Sequence, residues 1–149
     1  MDFRTQTKDK SFGVRVSALI IQEGKIYLAK SPTEEYYTVG GAIHFGELTA
    51  EAVQREVREE IGIEVIVEKL AFVVENHFTL EGKDFHQIEF QYLVTPLSEP
   101  NHQMKESGQV RDCQWVSLDD LESINLNPAF LKQALTKLEG PVRHVINKD

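Results

Sequence analysis

The chain has 149 residues, 41% of them hydrophobic and 27% charged, and a net charge of −8. That length suits one domain with its own core, and we expect a single domain over residues 1–149, of which 1–11 are a polar lead-in. The acidic balance argues against a nucleic acid polymer as partner, because contact with phosphates needs a basic surface. No apolar run approaches the roughly 18 residues of a membrane helix, and the polar N-terminus lacks the apolar core of a signal peptide. Since the one cysteine, Cys113, cannot form an internal disulfide, we expect a cytoplasmic protein with no membrane partner.

The N-terminal part of the chain predicts two paired strands. From Phe12 the residues alternate between apolar and polar, Glu23-Gly24 is a hairpin turn signal, and a second strand-like segment runs to Lys30. Arg15 and Lys30 are the cations that these strands would carry into the fold. Both are candidates for contact with substrate phosphates, and an exposed strand cation without a function explains each of them about as well.

Residues 49–61 have the pattern of an amphipathic helix. Thr49 is a candidate N-cap, because its hydroxyl can accept a free backbone N–H of the first turn. Gly62 is a candidate for the left-handed residue that ends a helix. An apolar stripe for the core recurs every four residues, at Val53, Val57 and Ile61.

A second face of this helix carries Glu56, Glu59 and Glu60, at spacings of three and four residues. Like charges at these spacings repel one another and weaken a helix. Arg55 lies four residues before Glu59 and can brace it, but the carboxylates still crowd together. Because a cluster of hard oxygen ligands suits Mg²⁺ or Mn²⁺, we expect one of these ions among them. The ordinary alternative is a solvated acidic face, which is the commoner explanation for an arbitrary helix with this pattern.

The stretch from Gly41 to Ile63 favours the metal site over the solvated acidic face. It matches the pattern G-x5-E-x7-R-E-U-x-E-E-x-G-U, in which U is a bulky aliphatic residue. The matching positions are Gly41, Glu47, Arg55, Glu56, Val57, Glu59, Glu60, Gly62 and Ile63. This pattern is the Nudix box, and the chain resembles the Nudix hydrolase family and its MutT-like members. The resemblance covers Val14 to about Leu138, although only the box is highly specific.

The resemblance implies an α+β fold, an α/β/α sandwich with a central mixed sheet. It also implies hydrolysis of a nucleoside diphosphate linked to another moiety, by attack of water on a phosphorus of the pyrophosphate. Mg²⁺ or Mn²⁺ held by the three helix carboxylates would neutralise the phosphates. Gly41 would add a backbone carbonyl to the metal, Glu47 would support the metal or the helix geometry, and Arg55 would hold Glu59 in position.

The second half of the chain predicts further strands and two helices. Residues 63–78 and 88–94 are strand-like, and 98–112 form a long polar loop. Ser117 caps a short acidic helix, and a last helix runs over 128–140.

Three residues of this half are candidates for the site. Glu106 precedes a Trp-containing strand, a place from which some MutT-like relatives supply a general base. Glu60 is the fallback for that role, and a surface glutamate without a role explains Glu106 about as well. Phe78 could stack on a nucleobase. Asn127 resembles the base-contacting Asn of some MutT-like enzymes, but a helix N-cap beside Pro128 is the favoured explanation.

The leading hypothesis is a metal-dependent pyrophosphohydrolase whose partner is a nucleotide-type small molecule. Nucleoside triphosphates, ADP-ribose and dinucleoside polyphosphates are all candidate substrates. A Nudix-like module that senses a nucleotide without cleaving it is the alternative, although such modules usually have a decayed box and this one is complete. A structural acidic helix in an interaction protein is a third hypothesis, and it predicts no stabilisation by divalent ions. The family is often dimeric, so a homodimer is also an expectation.

Overall fold

The computed structural model describes residues 1–148, so Asp149, the last residue of the predicted domain, lies outside the described part. The helices are α1 (Thr49–Ile61), α2 (Leu131–Ala134) and a 3₁₀ helix (Leu118–Ser123). The strands are β1 (Arg4–Gln6), β2 (Lys10–Gln22), β3 (Lys25–Lys30), β4 (Glu35–Tyr37), β5 (Val39–Ala42), β6 (Val65–Leu80), β7 (Lys83–Pro96), β8 (Gln103–Glu106), β9 (Gln109–Ser117), β10 (Asn125–Asn127) and β11 (Arg143–Lys148). Among these residues, no helix has both the length and the apolar character that crossing a membrane requires.

The strands form one mixed sheet. Its main path has the order β10-β4-β3-β2-β7-β6-β11, while β1 and β5 pair with β2, and β9 pairs with β3 and β8. Strands β6 and β7 form a long antiparallel hairpin, whereas β7 runs parallel to β2 from Lys10 to Ile20. Helices pack on both faces of the sheet, which confirms the predicted α+β sandwich with a central mixed sheet.

Each face of the sheet has its own hydrophobic core. On one face, the predicted stripe of α1 is fully buried and packs with strand residues such as Ala18 and Val39. On the other face, Leu121 and Leu131 pack with Phe72. Fully burying one aliphatic side chain contributes about 1.5–3 kcal/mol. The stripe therefore holds α1, and with it the acidic face, firmly against the sheet.

Specific contacts fix both ends of α1. Leu48 is the N-cap, and its backbone N–H donates to the Glu51 carboxylate at 3.1 Å. The predicted cap, Thr49, is wrong by one residue, because its hydroxyl contacts the Tyr92 hydroxyl at 2.6 Å instead. Gly62 ends the helix in the left-handed conformation, with φ of 74°, as predicted.

Two polar segments are more ordered than the sequence predicts. The lead-in over residues 1–11 contains β1, which pairs with β2, and the polar loop over 98–112 contains most of a β8–β9 hairpin. The backbones of these segments pair while most of their side chains face solvent, so they lack the apolar alternation that identifies a strand.

The C-terminal segment contains less helix than the sequence predicts. The predicted helix over 128–140 is reduced to α2, and the carbonyls of Ala134 and Lys137 accept hydrogen bonds from the Arg143 guanidinium. The unpredicted strand β11 then pairs in parallel with β6. Because β6 is distant from β11 in the sequence, no local sequence pattern predicts the pairing.

Candidate active site

Two glycines of β5 allow close packing, Gly40 against the backbone of β2 and Gly41 against the Glu56 carboxylate of α1. Strand β5 pairs with β2 and passes beside α1. A Cβ on Gly41 would lie 2.6 Å from Glu56 Oε1, and a Cβ on Gly40 would lie 2.1 Å from the Val16 carbonyl oxygen. At Gly40 only glycine fits, because the neighbouring atom belongs to the backbone, whereas at Gly41 a side chain would have to displace the Glu56 carboxylate. The Glu56 carboxylate therefore lies directly against the backbone of β5.

The three helix carboxylates differ in their surroundings. The Glu56 side chain is only 12% exposed, whereas the Glu59 side chain is 57% exposed. Glu60 lies between these extremes, and its Oε2 atom is buried with no hydrogen-bond partner among residues 1–148. Burial, and then the neighbouring Glu56 carboxylate, raise the pKa of Glu60 well above its ordinary range. Glu56 and Glu60 thus crowd together in a position that favours a bound cation.

Arg55 ties the helix carboxylates to the preceding loop. Its Nη1 donates to Glu56 at 3.0 Å and to Glu59 at 3.1 Å. Its Nε and Nη2 donate to the two oxygens of Glu47 at 2.7 and 3.0 Å, and Nη2 also donates to the Ala42 carbonyl at 3.1 Å. The contact with Glu59 that the spacing predicts is therefore one of several. The hydrogen bonds with Glu47, and then those with Glu56, raise the pKa of Arg55 further, so the guanidinium stays charged.

Glu47 has both of its oxygens engaged. Besides Arg55, the backbone N–H of His44 donates to Glu47 Oε1 at 2.9 Å. The hydrogen bonds from Arg55, followed by that from His44, lower the pKa of Glu47 to about 2. Of the two roles expected from the sequence, support of the metal or of the helix geometry, these hydrogen bonds correspond to support of the loop and helix.

The donors around Glu56 and Glu60 fit a hard divalent cation. They combine two crowded carboxylates, one unpartnered buried oxygen and the nearby backbone of Gly41. Within residues 1–148, no group of three or more His, Cys, Asp and Glu side chains is arranged to hold a metal ion. Mg²⁺ does not need such a cage, because one or two carboxylates, water and substrate phosphates commonly complete its coordination. The two-carboxylate set therefore suits an ion that binds together with a phosphate substrate.

A cavity of about 410 Å³ opens over these carboxylates, and we call it the carboxylate cavity. Glu106 reaches it from the β8–β9 hairpin, and Arg15 reaches it from β2. Beside Glu106, burial and then the Glu106 charge raise the pKa of Tyr37 to about 12. Arg4 and Lys105 also line this cavity and were missed, because no local sequence pattern places the polar segments that carry them beside α1.

A second cavity, of about 390 Å³, adjoins the first; we call it the amide cavity because Asn76, Gln87, Asn127 and Asn147 line it. Phe78 lines it as well, and its ring stacks on that of Phe85 with centroids 5.0 Å apart. The two cavities share the residues Arg15, Tyr37 and Thr38. A molecule that filled both would pass beside Arg15.

Asn127 does not cap a helix. It is the last residue of β10, and its Nδ2 donates to Glu35 Oε2 at 3.3 Å inside the amide cavity. Helix α2 begins at Leu131 with Phe130 as its N-cap residue. The favoured helix-cap interpretation is therefore wrong, and the side chain lines the amide cavity instead.

Lys30 lies apart from the other candidates. It pairs with Glu34 at 3.4 Å, and its ammonium lies over the Tyr36 ring, 5.6 Å from the centroid. The surface depression that it lines shares neither Arg15 nor the helix carboxylates. The phosphate contact expected of Lys30 finds no support in this geometry.

The close packing of Gly41 leads to a testable prediction. In Gly41→Ala, the new methyl would displace the Glu56 carboxylate, and we expect kcat to fall roughly tenfold while the melting temperature changes little. Steady-state kinetics and thermal unfolding measure the two effects. Gly24→Ala is the control, because its left-handed φ of 75° strains a turn whose residues line neither cavity. It should lower stability by about 1 kcal/mol and leave kcat unchanged. Wild-type kcat in Gly41→Ala would contradict the role of this contact.

Comparison with known proteins gives a consistent picture. The NUDIX domain family model matches residues 11–138. Nucleoside triphosphatase NudI of Escherichia coli is 26% identical over 128 residues, which cover 78% of this chain and 90% of NudI. The structure of a MutT NUDIX hydrolase from Burkholderia pseudomallei aligns with a TM-score of 0.63 and 26% identity, covering 86% of this chain and 98% of that one. An ADP-ribose pyrophosphatase from Streptococcus suis shares the fold, with a TM-score of 0.64 at 19% identity, covering 90% of this chain and 98% of that one.

Proposed function

The chain belongs to the NUDIX domain family and is a pyrophosphohydrolase, and from this premise we propose that it hydrolyses a nucleoside triphosphate with the help of Mg²⁺ or Mn²⁺. The observation that carries the proposal is the pair of adjoining cavities. One offers carboxylates and cations, the other offers an aromatic ring and amides, and they meet at Arg15. The similarity to nucleoside triphosphatase NudI supports the choice of triphosphates over other nucleotide derivatives.

In this proposal the carboxylate cavity receives the phosphates. Glu56 and Glu60 hold the divalent ion together with the Gly41 carbonyl, and Arg55 keeps Glu56 and Glu59 in place. When bound there, the ion supplies positive charge that offsets the charge of the phosphates. Since the chain itself has a net charge of −8, phosphate binding depends on such local compensation.

The side chains opposite α1 complete the reaction. Arg4, Arg15 and Lys105 bring cations to the phosphates. Glu106 accepts the proton of the attacking water as a new P–O bond forms and the bridging P–O bond of the pyrophosphate breaks. Glu60 stands beside the same cavity and remains the fallback base.

The amide cavity receives the nucleoside. Phe78 offers a ring face that is already backed by Phe85, so a base can stack there without reordering the ring. Asn127 and Glu35 present an amide and a carboxylate side by side, which suits the polar edge of a base.

A hydrolysis panel tests the proposal. Ribo- and deoxyribonucleoside triphosphates, ADP-ribose and dinucleoside polyphosphates would each be incubated with Mg²⁺, with Mn²⁺ and with chelator, and the products separated chromatographically. We expect metal-dependent cleavage of triphosphates above the other classes. Preferred cleavage of ADP-ribose or of a dinucleoside polyphosphate would overturn the substrate assignment. Nucleotide binding without cleavage under any condition would favour the sensing module instead.

A further inference from the structure

A buried polar cluster outside the Nudix box forms part of the wall of the amide cavity. Arg15 and Ser17 on β2 pair in register with Glu89 and Gln91 on β7. Because side chains of a strand alternate between faces, these four residues share one face of the sheet. Ser17 and Gln91 are almost fully buried, and Glu89 is only 7% exposed.

Every partner in this cluster is directed at Glu89. The Ser17 hydroxyl donates to Glu89 Oε1 at 2.6 Å, and Gln91 Nε2 donates to the same oxygen at 2.8 Å. Arg15 Nε lies 3.2 Å from Glu89 Oε2, so the two side chains form an ion pair, although the contact lacks hydrogen-bond geometry among the described residues. A carboxylate buried this deeply costs free energy even when it is paired, and apolar residues would hold the same sheet as well or better. The cluster is therefore better explained by what it does for Arg15 than by stability.

Arg15 is the exposed end of the cluster. Its side chain is 32% exposed, and it lines both the carboxylate cavity and the amide cavity. A nucleotide that fills both cavities places the phosphate nearest its nucleoside at this junction. An arginine already fixed by a buried carboxylate loses less conformational freedom when it binds that phosphate.

We propose that Glu89 is a positioning residue that fixes the Arg15 guanidinium at the junction of the two cavities, where it binds the phosphate next to the nucleoside. This inference rests on the proposed function for the direction of the nucleotide. Glu89 also lines the amide cavity, but both of its oxygens already contact Ser17, Gln91 or Arg15. The proposal therefore assigns Glu89 no contact with substrate, and its effect passes through Arg15.

The test is a double-mutant cycle on wild type, Glu89→Gln, Arg15→Met and the double variant. Gln still accepts the bonds from Ser17 and Gln91 but removes the negative charge that orients Arg15. We expect KM for the triphosphate to rise about tenfold in Arg15→Met and about fivefold in Glu89→Gln. The double variant should match Arg15→Met alone, because Glu89 has nothing left to position. Multiplied effects in the double variant, or an unchanged KM in Arg15→Met, would overturn the proposal.

Two further variants serve as controls for this cycle. Glu68→Gln removes an exposed carboxylate that contacts Thr95 on the same hairpin, and KM should stay at the wild-type value. If Glu89→Gln fails to fold, Glu89→Asp can replace it, since Asp retains the charge on a shorter side chain. Its KM should then rise less than that of Arg15→Met. A rise in Glu89→Gln that is restricted to ribonucleotides would place Glu89 on the sugar and also overturn the proposal.

Direct binding separates this inference from the proposed function. The dissociation constant of a non-hydrolysable α,β-methylene nucleoside triphosphate would be measured by calorimetry for the same four proteins. The phosphate contact of Arg15 needs no turnover, so the same non-additive pattern is expected in binding. Coupled binding effects in a protein that cleaves nothing would reject the hydrolase and retain the positioning role. Absence of nucleotide binding by the wild type would reject both.

Discussion

Glu60→Gln is expected to lower kcat about 10³-fold, the scale seen when one strong electrostatic contributor is removed from an active site. Glu60 is the helix carboxylate with an unpartnered buried oxygen, and it lines the carboxylate cavity beside Glu56. The substitution keeps the size of the side chain and removes only its charge. Steady-state hydrolysis of the preferred triphosphate with saturating Mg²⁺ measures the loss.

The same variant should be at least as stable as the wild type. A carboxylate with a buried, unpartnered oxygen and a carboxylate neighbour is costly to fold, and a neutral amide relieves part of that cost. We therefore expect an unchanged or slightly higher melting temperature without metal. Added Mg²⁺ should raise the melting temperature of the wild type and have a much smaller effect on the variant.

Glu64→Gln is the matched control for this prediction. Glu64 follows the same helix but is exposed and pairs with Arg58 outside both cavities. Its removal should leave kcat and the response to Mg²⁺ unchanged. Full activity in Glu60→Gln would contradict the assigned role, as would an equal loss in both variants.

Arg55→Met is expected to impair stability and activity together. The Arg55 side chain is only 16% exposed and contacts three carboxylates and the Ala42 carbonyl. Removing one partner of such a buried ionic network leaves carboxylates uncompensated and costs about 3 kcal/mol. For a domain of this size, that corresponds to a melting temperature lower by about 10 °C. Because Glu56 and Glu59 lose their brace, kcat should also fall roughly 100-fold.

Arg58→Met is the control that distinguishes loss of the Arg55 contacts from loss of any positive charge on α1. Arg58 lies three residues further along α1 and pairs with Glu64, with both side chains more than half exposed. An exposed pair of this kind contributes little, so stability and kcat should stay close to wild type. Arg55→Lys should fall between the two, because one ammonium cannot reproduce the planar set of donors. Equal melting temperatures for Arg55→Met and Arg58→Met would refute the assigned role of Arg55.

Several local features of α1 can be predicted from the sequence. The stripe of Val53, Val57 and Ile61, the helix end at Gly62 and the contact of Arg55 with Glu59 all follow from spacings of three and four residues. Such contacts depend on helix geometry alone. The Nudix box adds the family, and with it the α+β sandwich that the structure has.

Relations between distant segments are set by the tertiary fold. The sequence offered Arg15 and Lys30 as equal candidates, and the sheet brings only Arg15 to the cavities. The sheet also contradicts the helix-cap interpretation of Asn127, since β10 pairs with β4 and leaves the amide beside Glu35. Both outcomes depend on strand order, which local periodicity does not encode.

The sequence by itself determined the family, the fold class and the acidic helix face, because each depends on residues that are close together in the chain. The tertiary structure alone decided which side chains meet that face. Glu89 lies 72 residues from Ser17, and their hydrogen bond forms only because β7 pairs with β2. Arg4 and Glu106 likewise come from distant parts of the chain to line one cavity. Periodicity records which face a side chain occupies, whereas only the order and register of the strands bring distant residues together.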